Sequence, residues 1–366
     1  ILSGFPWNLW SYSWSWLVEI IQVLNPLGLY AFNSISIAFF CSPAILFFNN
    51  KYKYFIFSIF LLIFFSFYIY GSYRINNNQE ITRGFEKTVH VKVISPNFDM
   101  RYIHSDKEIK ETIKKIVRYS DPDPNKETIF IWPEGIFAGI YLEDLKKFSN
   151  IFNKSFSKKH LLIFGINTQD NFSNKFYNSL IVSNNNLELF YKYDKKKLVP
   201  FGEFIPFNKF FEKFGLKKIT QGYGSFSKGN KQKNFTLNDL NILPLICYEI
   251  IFPNLTQFSD KKTNMIINIS EDAWFGNSIG PYQHFTKAIF RSIETNTYLA
   301  RSANKGISAF ISNNGRTIKR LEPKETGNIE LDVPLIDSNF KNKNDLIFFV
   351  LLFTYLFIFL IFKNKN

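Results

Sequence analysis

Asn241-Ile-Leu-Pro-Leu-Ile-Cys-Tyr-Glu249 sets an apolar run of strand length against an abrupt polar end of a thiol, a phenol and a carboxylate. Strand ends are where a rigid scaffold can hold out a reactive group. Cys247 is one of only two cysteines in 366 residues. Two readings of it are open on this stretch alone. It is either a small buried hydrophobe, the common fate of a free cysteine, or a nucleophile activated by its surroundings.

Outward from that stretch, short apolar runs alternate with helical periodicity. Val89–Ile94, Thr128–Trp132, Leu161–Ile166, Ser179–Val182 and Leu187–Tyr193 read as strands, as do Ile242–Cys247 and Met265–Ser270. Ile307–Ile311, Thr317–Arg320 and Asn328–Leu331 read as closing hairpin strands. Residues 106–119, 141–157 and 284–297 carry helical spacing. Such alternation predicts a layered α/β domain with helices covering sheets. Between Phe204 and Lys233 there is little pattern but many Phe, Gly and Lys, which suits a lid, a binding loop or a disordered insert.

The flanks are of another kind. Residues 1–24 are rich in Trp and broken by Gly4 and Pro6, a composition suited to a membrane–water interface. Leu27–Phe48, Tyr54–Tyr70 and Leu346–Phe362 are uncharged runs of bilayer-spanning length. The expected organisation is a membrane region over 1–74, with spans at about 27–48 and 54–70. An extracytoplasmic domain follows over 75–343, then a transmembrane helix over 346–362. Lys51, Lys53, Lys363 and Lys365 would share the cytoplasmic side, against Arg74, Lys341 and Lys343 on the other. The net charge of +14 points to an anionic partner, a phospholipid surface or nucleic acid. No basic stripe with base-reading residues supports nucleic acid, and the joint excess of Lys, Asn, Ile and Phe also fits a compositional bias of the coding sequence. Two cysteines make no disulfide framework, with Cys41 inside an apolar run. The chain opens at Ile1 without an initiator Met, and is expected to be an amino-terminally truncated fragment.

Three strand ends terminate in ionisable groups: Ile129-Phe-Ile-Trp-Pro-Glu134, Tyr193-Asp-Lys-Lys-Lys-Leu-Val-Pro-Phe-Gly-Glu203, and Leu245-Ile-Cys-Tyr-Glu249. A carboxylate to take a thiol proton, a lysine to hold an oxyanion and a nucleophilic sulfur make a complete acyl-transfer set. The residues alone do not separate Lys195 from Lys196 and Lys197. Gly276-Asn-Ser-Ile-Gly280 has the form of a serine-hydrolase elbow, but His284 follows Ser278 with no acid between, and Pro281 is expected to oppose a helix starting there. The four histidines share no ligand spacing, so no metal is expected. There is no phosphate-cradling Gly-rich loop, and no cofactor is expected.

At these three strand ends the sequence resembles the nitrilase superfamily. Trp132-Pro-Glu134, Leu198-Val-Pro-Phe-Gly-Glu203, Cys247-Tyr-Glu249 and Ala273-Trp-Phe-Gly-Asn-Ser-Ile-Gly-Pro-Tyr-Gln-His-Phe285 narrow the resemblance to its membrane branch, the apolipoprotein N-acyltransferases. Gly4-Phe-Pro-Trp-Asn8, Arg301-Ser-Ala-Asn304 and Gly306 fit the same branch. The likeness implies a four-layer αββα domain on a helical transmembrane base, facing the periplasm at the bacterial inner membrane. It implies a phospholipid acyl donor and an apolipoprotein acceptor, with Glu134 as general base, Cys247 as nucleophile and Lys195, eight residues before Glu203, as the triad lysine. Glu203 and Glu249 match the family's accessory carboxylates, the Tyr248 backbone N–H an oxyanion donor, and Trp274 a pocket wall. Tyr102 stands where the family usually has a Trp gate. Glu271 departs from the usual Asn, and Tyr282 from the usual Trp. An aromatic loop over Phe204–Phe226, including Phe210, Phe211 and Phe214, would form an access lip for lipid. The rival readings are a membrane-tethered amidase using the same triad, and a non-enzymatic membrane-anchored binding protein.

Overall fold

The computed structural model describes residues 5–82, 87–102, 104–170, 172–205, 225–230, 234–256, 263–336 and 344–363. Gly4, Lys341, Lys343, Lys365 and Phe210, Phe211 and Phe214 of the expected access lip lie outside them.

Strands with no polar face must be covered on both sides, and that requirement organises the middle of the chain. The first sheet contains β1 (Thr88–Ser95), β2 (Thr128–Ile131), β3 (His160–Asp170), β4 (Lys175–Ser183) and β5 (Leu189–Asp194). The second contains β6 (Phe235–Leu237), β7 (Leu240–Ile246), β8 (Met265–Glu271), β9 (Tyr298–Asn304), β10 (Ser308–Ile311) and β11 (Thr317–Leu321). β12 (Gly327–Pro334) returns to pair with β1. The orders are β12-β1-β2-β3-β4-β5 and β11-β10-β9-β8-β7-β6, each with a parallel triplet at its centre, β1-β2-β3 and β7-β8-β9.

Alternation along these strands builds two cores at once. Ile129, Ile131, Leu161 and Ile163 meet Ile242, Ile246, Met265 and Ile267 between the sheets. Phe130, Trp132, Leu162 and Phe164 face the other way, onto Ile109, Ile113 and Ile116 of the helix Asp106–Ser120. On the second sheet, Leu243, Leu245, Ile266 and Leu299 pack under Phe285 and Ala288 of the helix Gly280–Thr295. Each fully buried side chain of this size contributes about 1.5–3 kcal/mol. The result is the four-layer αββα arrangement that the resemblance implied, and the layered α/β domain that the alternation predicted.

The structure departs from the sequence reading at four places. The helix expected over 141–157 is two short ones, Leu142–Lys146 and Ser149–Ser155. The helix expected from 284 begins at Gly280, with Pro281 in its first turn, where a missing N–H costs nothing. Pro281 therefore does not oppose a helix start there, contrary to expectation. Strands β6 and β9 had no counterpart in the reading. Cys247 lies just beyond β7, as the first residue of a 3₁₀ turn over Cys247–Ile251.

In the amino-terminal region the run over 27–48 is not one α-helix. Gly28, at φ 76°, separates a short turn from the helix Leu29–Cys41, and Pro43 opens a 3₁₀ continuation over Ser42–Phe47. Leu29–Phe47 and Lys53–Asn77 are long and apolar enough to cross a membrane, while the apolar helix Leu346–Ile361 is shorter. Trp14, Ile21, Leu24, Phe32 and Phe64 bury this region against Phe290 and Ile293 of the helix Gly280–Thr295. Arg74 fixes the far end of the helix Lys53–Thr82 by donating to Gln22 Oε1 and Asn296 Oδ1.

Candidate active site

The thiol is presented by a strained turn. Cys247 has φ 54°, the left-handed region that costs a non-glycine residue about 1–3 kcal/mol. The turn is held by Asn268 Nδ2, which donates to the carbonyls of Leu245 and Cys247 at 3.2 Å each.

Glu134 follows β2 through Pro133 and is buried. Its Oε1 accepts from Lys195 Nζ at 3.1 Å and from Asn178 Nδ2 at 2.6 Å, and its Oε2 from the Glu271 backbone N–H at 3.0 Å. Gly165 of β3 makes room for it, since a Cβ there would stand 2.9 Å from Glu134 Cα. Lys195, one residue past β5 and 1% exposed, also donates to Glu203 Oε1 at 2.8 Å. Burial opposes its charge, but the carboxylates of Glu134 and Glu203 outweigh this and hold the ammonium well above the ordinary lysine value. Asn178, on β4, bridges the same two carboxylates, reaching Glu203 Oε1 at 2.9 Å. Lys196 and Lys197 do not share this place. Their backbone amides point instead at Glu249, and the Lys197 ammonium lies over the Phe252 ring.

Glu249 joins the two halves. Fully buried, it accepts from the backbone N–H groups of Lys196 (2.7 Å), Lys197 (2.9 Å) and Ile246 (2.8 Å) and from the Tyr193 hydroxyl. One carboxylate thus ties the lysine loop to the thiol turn. Burial raises it to about 7, against the pull of those amides.

A second buried cluster lies beneath the thiol. Asp272 accepts from Ser270 Oγ (2.7 Å) and Arg301 Nη2 (2.8 Å), and pairs with His284 Nδ1 at 2.9 Å. Arg301 also donates to Asn268 Oδ1, so the cluster reaches the amide that holds the Cys247 turn. Burial opposes the Asp272 charge, yet Arg301 and His284 hold its carboxyl far below the usual range. Burial, then Arg301, lowers His284. With His284 engaged on Asp272, and Ser278 Oγ accepting from the Gly280 N–H at 3.1 Å, the serine elbow lacks its base. Glu271 is buried beside Glu134, taking Asn304 Nδ2 at 2.8 Å and the Ala273 N–H at 3.0 Å. Burial raises its carboxyl to about 8. Gly135, at φ 79°, permits this approach, because a Cβ there would meet Glu271 Oε2 at 2.4 Å.

Glu134, Lys195, Cys247, Glu203, Tyr248, Glu271 and Trp274 all line one pocket of about 370 Å³, together with Tyr102 and the rings of Phe5, Trp7 and Phe137. Trp274 is 55% exposed at its mouth, and the Tyr248 hydroxyl is turned to the Leu198 carbonyl at 2.6 Å. Glu249 stands behind the pocket rather than in it. Burial pushes the Cys247 thiol well up, the Glu134 charge adds to this, and Lys195 opposes both. A thiol held up in this way favours its protonated form, and attack calls for a base. Among the described residues no group of three or more His, Cys, Asp or Glu is placed to hold a metal ion. Asn178 carried no signal in the sequence, and Asp272, His284 and Arg301 had no role in the site expected there. Only the block Ala273–Phe285 and Arg301–Asn304, quoted for their likeness, signalled that region.

A profile of the carbon-nitrogen hydrolase family matches residues 127–338. The apolipoprotein N-acyltransferase of Rickettsia typhi is 32% identical over 371 residues, which cover 97% of this chain and 73% of that protein. Those of Allorhizobium ampelinum and Rhodopseudomonas palustris are 30% and 28% identical over 89% and 91% of this chain. The chain spans less than two thirds of the length of these two relatives, 62% and 65%. Among solved structures, an amidase from Nesterenkonia sp. superposes with a TM-score of 0.51 at 13% identity, over 70% of this chain and 94% of the amidase. Saccharomyces cerevisiae Nit3, of the nitrilase superfamily, gives 0.50 at 17%, over 68% and 91%. At such identities these two likenesses concern the fold alone.

Proposed function

Because this chain belongs to the carbon-nitrogen hydrolase family, and within it to the apolipoprotein N-acyltransferases, we propose that it moves an acyl chain from a phospholipid to the N-terminal amine of a diacylglyceryl-cysteine lipoprotein. The observation that carries this reading is the convergence of Glu134, Lys195 and Cys247 on one aromatic-walled pocket.

In the first half-reaction Glu134 takes the thiol proton as sulfur attacks the donor ester carbonyl. The Lys195 ammonium and the Tyr248 backbone N–H hold the oxyanion. The C–O bond breaks, Glu134 returns its proton to the leaving oxygen, and a lysophospholipid departs from a Cys247 thioester. In the second, the lipoprotein amine attacks that thioester and passes a proton to Glu134. The C–S bond breaks and the proton returns to sulfur. Glu203 and Asn178 hold Lys195 and Glu134 in register, Glu249 positions the lysine and thiol turns, and Trp274 lines the mouth. Loss of one oxyanion donor costs about 10²–10³ in rate.

We assign residues 1–74 and 346–362 to a bacterial inner membrane and 75–343 to its periplasmic side. Two features support this. Phe55, Leu62, Phe65 and Ile69 leave a large apolar surface on the helix Lys53–Thr82, an exposure that calls for lipid or a partner. Arg74 at one end of that helix meets Asn296 of the α/β domain, whereas Lys51 and Lys53 lie at the other.

The test is transfer of a labelled acyl chain from phosphatidylethanolamine to a synthetic diacylglyceryl-cysteine peptide. Transfer by the parent and none by Cys247→Ala is expected. Transfer by Cys247→Ala, or hydrolysis of small amides with no use of phospholipid, would overturn the proposal.

A further inference from the structure

Trp7 is a party wall. On one side it lines the Cys247 pocket, and on the other a second hollow of about 500 Å³ between Trp7–Ser15 and the first turns of the helix Gly280–Thr295. Into that hollow comes Lys287, only 2% exposed, its ammonium 4.7 Å from the Trp7 ring centroid and 4.2 Å from that of Tyr12. Among the described residues no carboxylate or hydrogen-bond acceptor meets it. Burial accordingly lowers Lys287 to about 8 with no anionic group to offset it.

Unpartnered donors lie nearby, although Asn8, Ser13, Ser15, Gln283 and Thr286 bring side-chain oxygens to the lining. Arg291, one turn along the same helix face, pairs through Nη1 with Glu294, while its Nε and Nη2 are buried without partners. Tyr12 OH and Trp14 Nε1 are also buried and unpartnered. Buried polar groups are ordinarily satisfied, and a buried ammonium is ordinarily paired. Of Arg291, Tyr12 and Trp14 only Tyr12 lines the hollow, and there the unpaired Lys287 ammonium and the unmet Tyr12 hydroxyl ask for an anion rich in oxygens. Exposed Trp10, Ile279 and Tyr282 contribute to its wall, side chains suited to a lipid–water boundary.

We propose that this hollow is a phosphate subsite, where Lys287 pairs with the phosphodiester of a glycerophospholipid whose ester reaches across Trp7 to Cys247. The position at Cys247 rests on the acyl-transfer reading; the phosphate contact does not. His284, whose ring lies by the Cys247 carbonyl, is three residues before Lys287, a rise of about 4.5 Å along the helix.

The experiment uses the full-length protein carrying Cys247→Ala in detergent micelles, so that binding is read without turnover. Fluorescent phosphatidylglycerol and fluorescent diacylglycerol are titrated against this protein and against the same protein carrying Lys287→Met or Lys287→Arg. Loss of one charge-assisted contact corresponds to about tenfold to a hundredfold weaker binding. That loss is expected for phosphatidylglycerol with Lys287→Met, restored by Lys287→Arg, with diacylglycerol unaffected by either. Lys287→Met replaces an unpaired buried cation by an apolar side chain of similar length, and its unfolding midpoint is expected to match or exceed the parent's. Equal phosphatidylglycerol affinity in parent and Lys287→Met would overturn the proposal. So would inorganic phosphate that binds in a Lys287-dependent way, read by ³¹P line broadening, while lipid affinity stays independent of Lys287. Thioester formation by the otherwise native enzyme is scored separately, so either reading can fail without the other.

Discussion

Glu249→Gln tests the tie between the lysine loop and the thiol turn. The substitution keeps volume and shape but turns one acceptor into a donor. In the parent, Oε1 takes the Lys196 and Lys197 amides and Oε2 takes the Ile246 amide, with Tyr193 OH 2.9 and 3.0 Å from the two oxygens. Whichever oxygen becomes nitrogen, a backbone N–H then faces another N–H. The least costly arrangement puts the nitrogen toward Ile246, where Tyr193 can rotate its hydroxyl to accept. One backbone amide is still orphaned. Above the value of about 7 to which burial raises this carboxyl, the lost bond is charge-assisted and worth about 1.5–3 kcal/mol. At about 2–4 °C per kcal/mol for a domain of this size, the unfolding midpoint should fall by about 3–12 °C. Because the freed groups set Lys195 against Cys247, formation of the acyl-enzyme should slow by up to about 10². Scanning calorimetry and a rapid-quench assay of lysophospholipid release read the two effects. Tyr193→Phe, which removes one donor and leaves all three amides bound, should do less on both counts. A Glu249→Gln protein with an unchanged midpoint and an acylation rate within a factor of two would refute the reasoning.

Three further outcomes follow from the same geometry. Lys195→Met removes an oxyanion donor and leaves buried Glu134 and half-buried Glu203 without their cation. Acyl transfer should fall by at least about 10², and urea unfolding should show a loss of about 3–5 kcal/mol; adding Glu203→Gln should recover part of the stability and none of the activity. Glu271 is raised by burial from 4.5 to about 8, so its stabilisation is fully present below pH 4.5 and is lost as pH rises through about 8. Glu271→Gln should flatten that decline in a plot of unfolding midpoint against pH; parallel profiles would contradict it. Arg301→Leu strips Asp272 and Asn268 of their shared donor and should cost about 3–5 kcal/mol in chemical unfolding, whereas an unchanged midpoint would mean that the cluster does not support the Cys247 turn.

What could be read from the sequence followed burial. Ile129–Trp132 and Leu161–Ile166 were legible as strands because both of their faces pack, leaving an unbroken apolar run. Tyr298-Leu-Ala-Arg-Ser-Ala-Asn304 forms an equally buried strand but was missed, because its polar groups are satisfied by distant residues: Arg301 by Asp272, Asn304 by Glu271 and Phe98. Pairing of that kind leaves no periodic trace. Asn178 was invisible for the same reason, sitting among strand residues with nothing local to mark it as the bridge between Glu134 and Glu203. The strand ends themselves were legible, since carboxylate, lysine and thiol each interrupt an apolar run. Which of three consecutive lysines turns inward was not, and only the resemblance singled out Lys195. The left-handed backbone of Cys247 was hidden too, as no glycine advertises it. Pro281 misled, because a proline that breaks a helix interior is at home in its first turn.

In the proposed reaction Cys247 carries an acyl chain between two lipids. Incubation with a phospholipid of defined chains, without acceptor, followed by intact-mass analysis tests it directly. The expected result is an increment of one acyl group, located on Cys247, released by hydroxylamine and discharged when a diacylglyceryl-cysteine peptide is added. An unmodified Cys247 in a preparation that nonetheless acylates the peptide would contradict it.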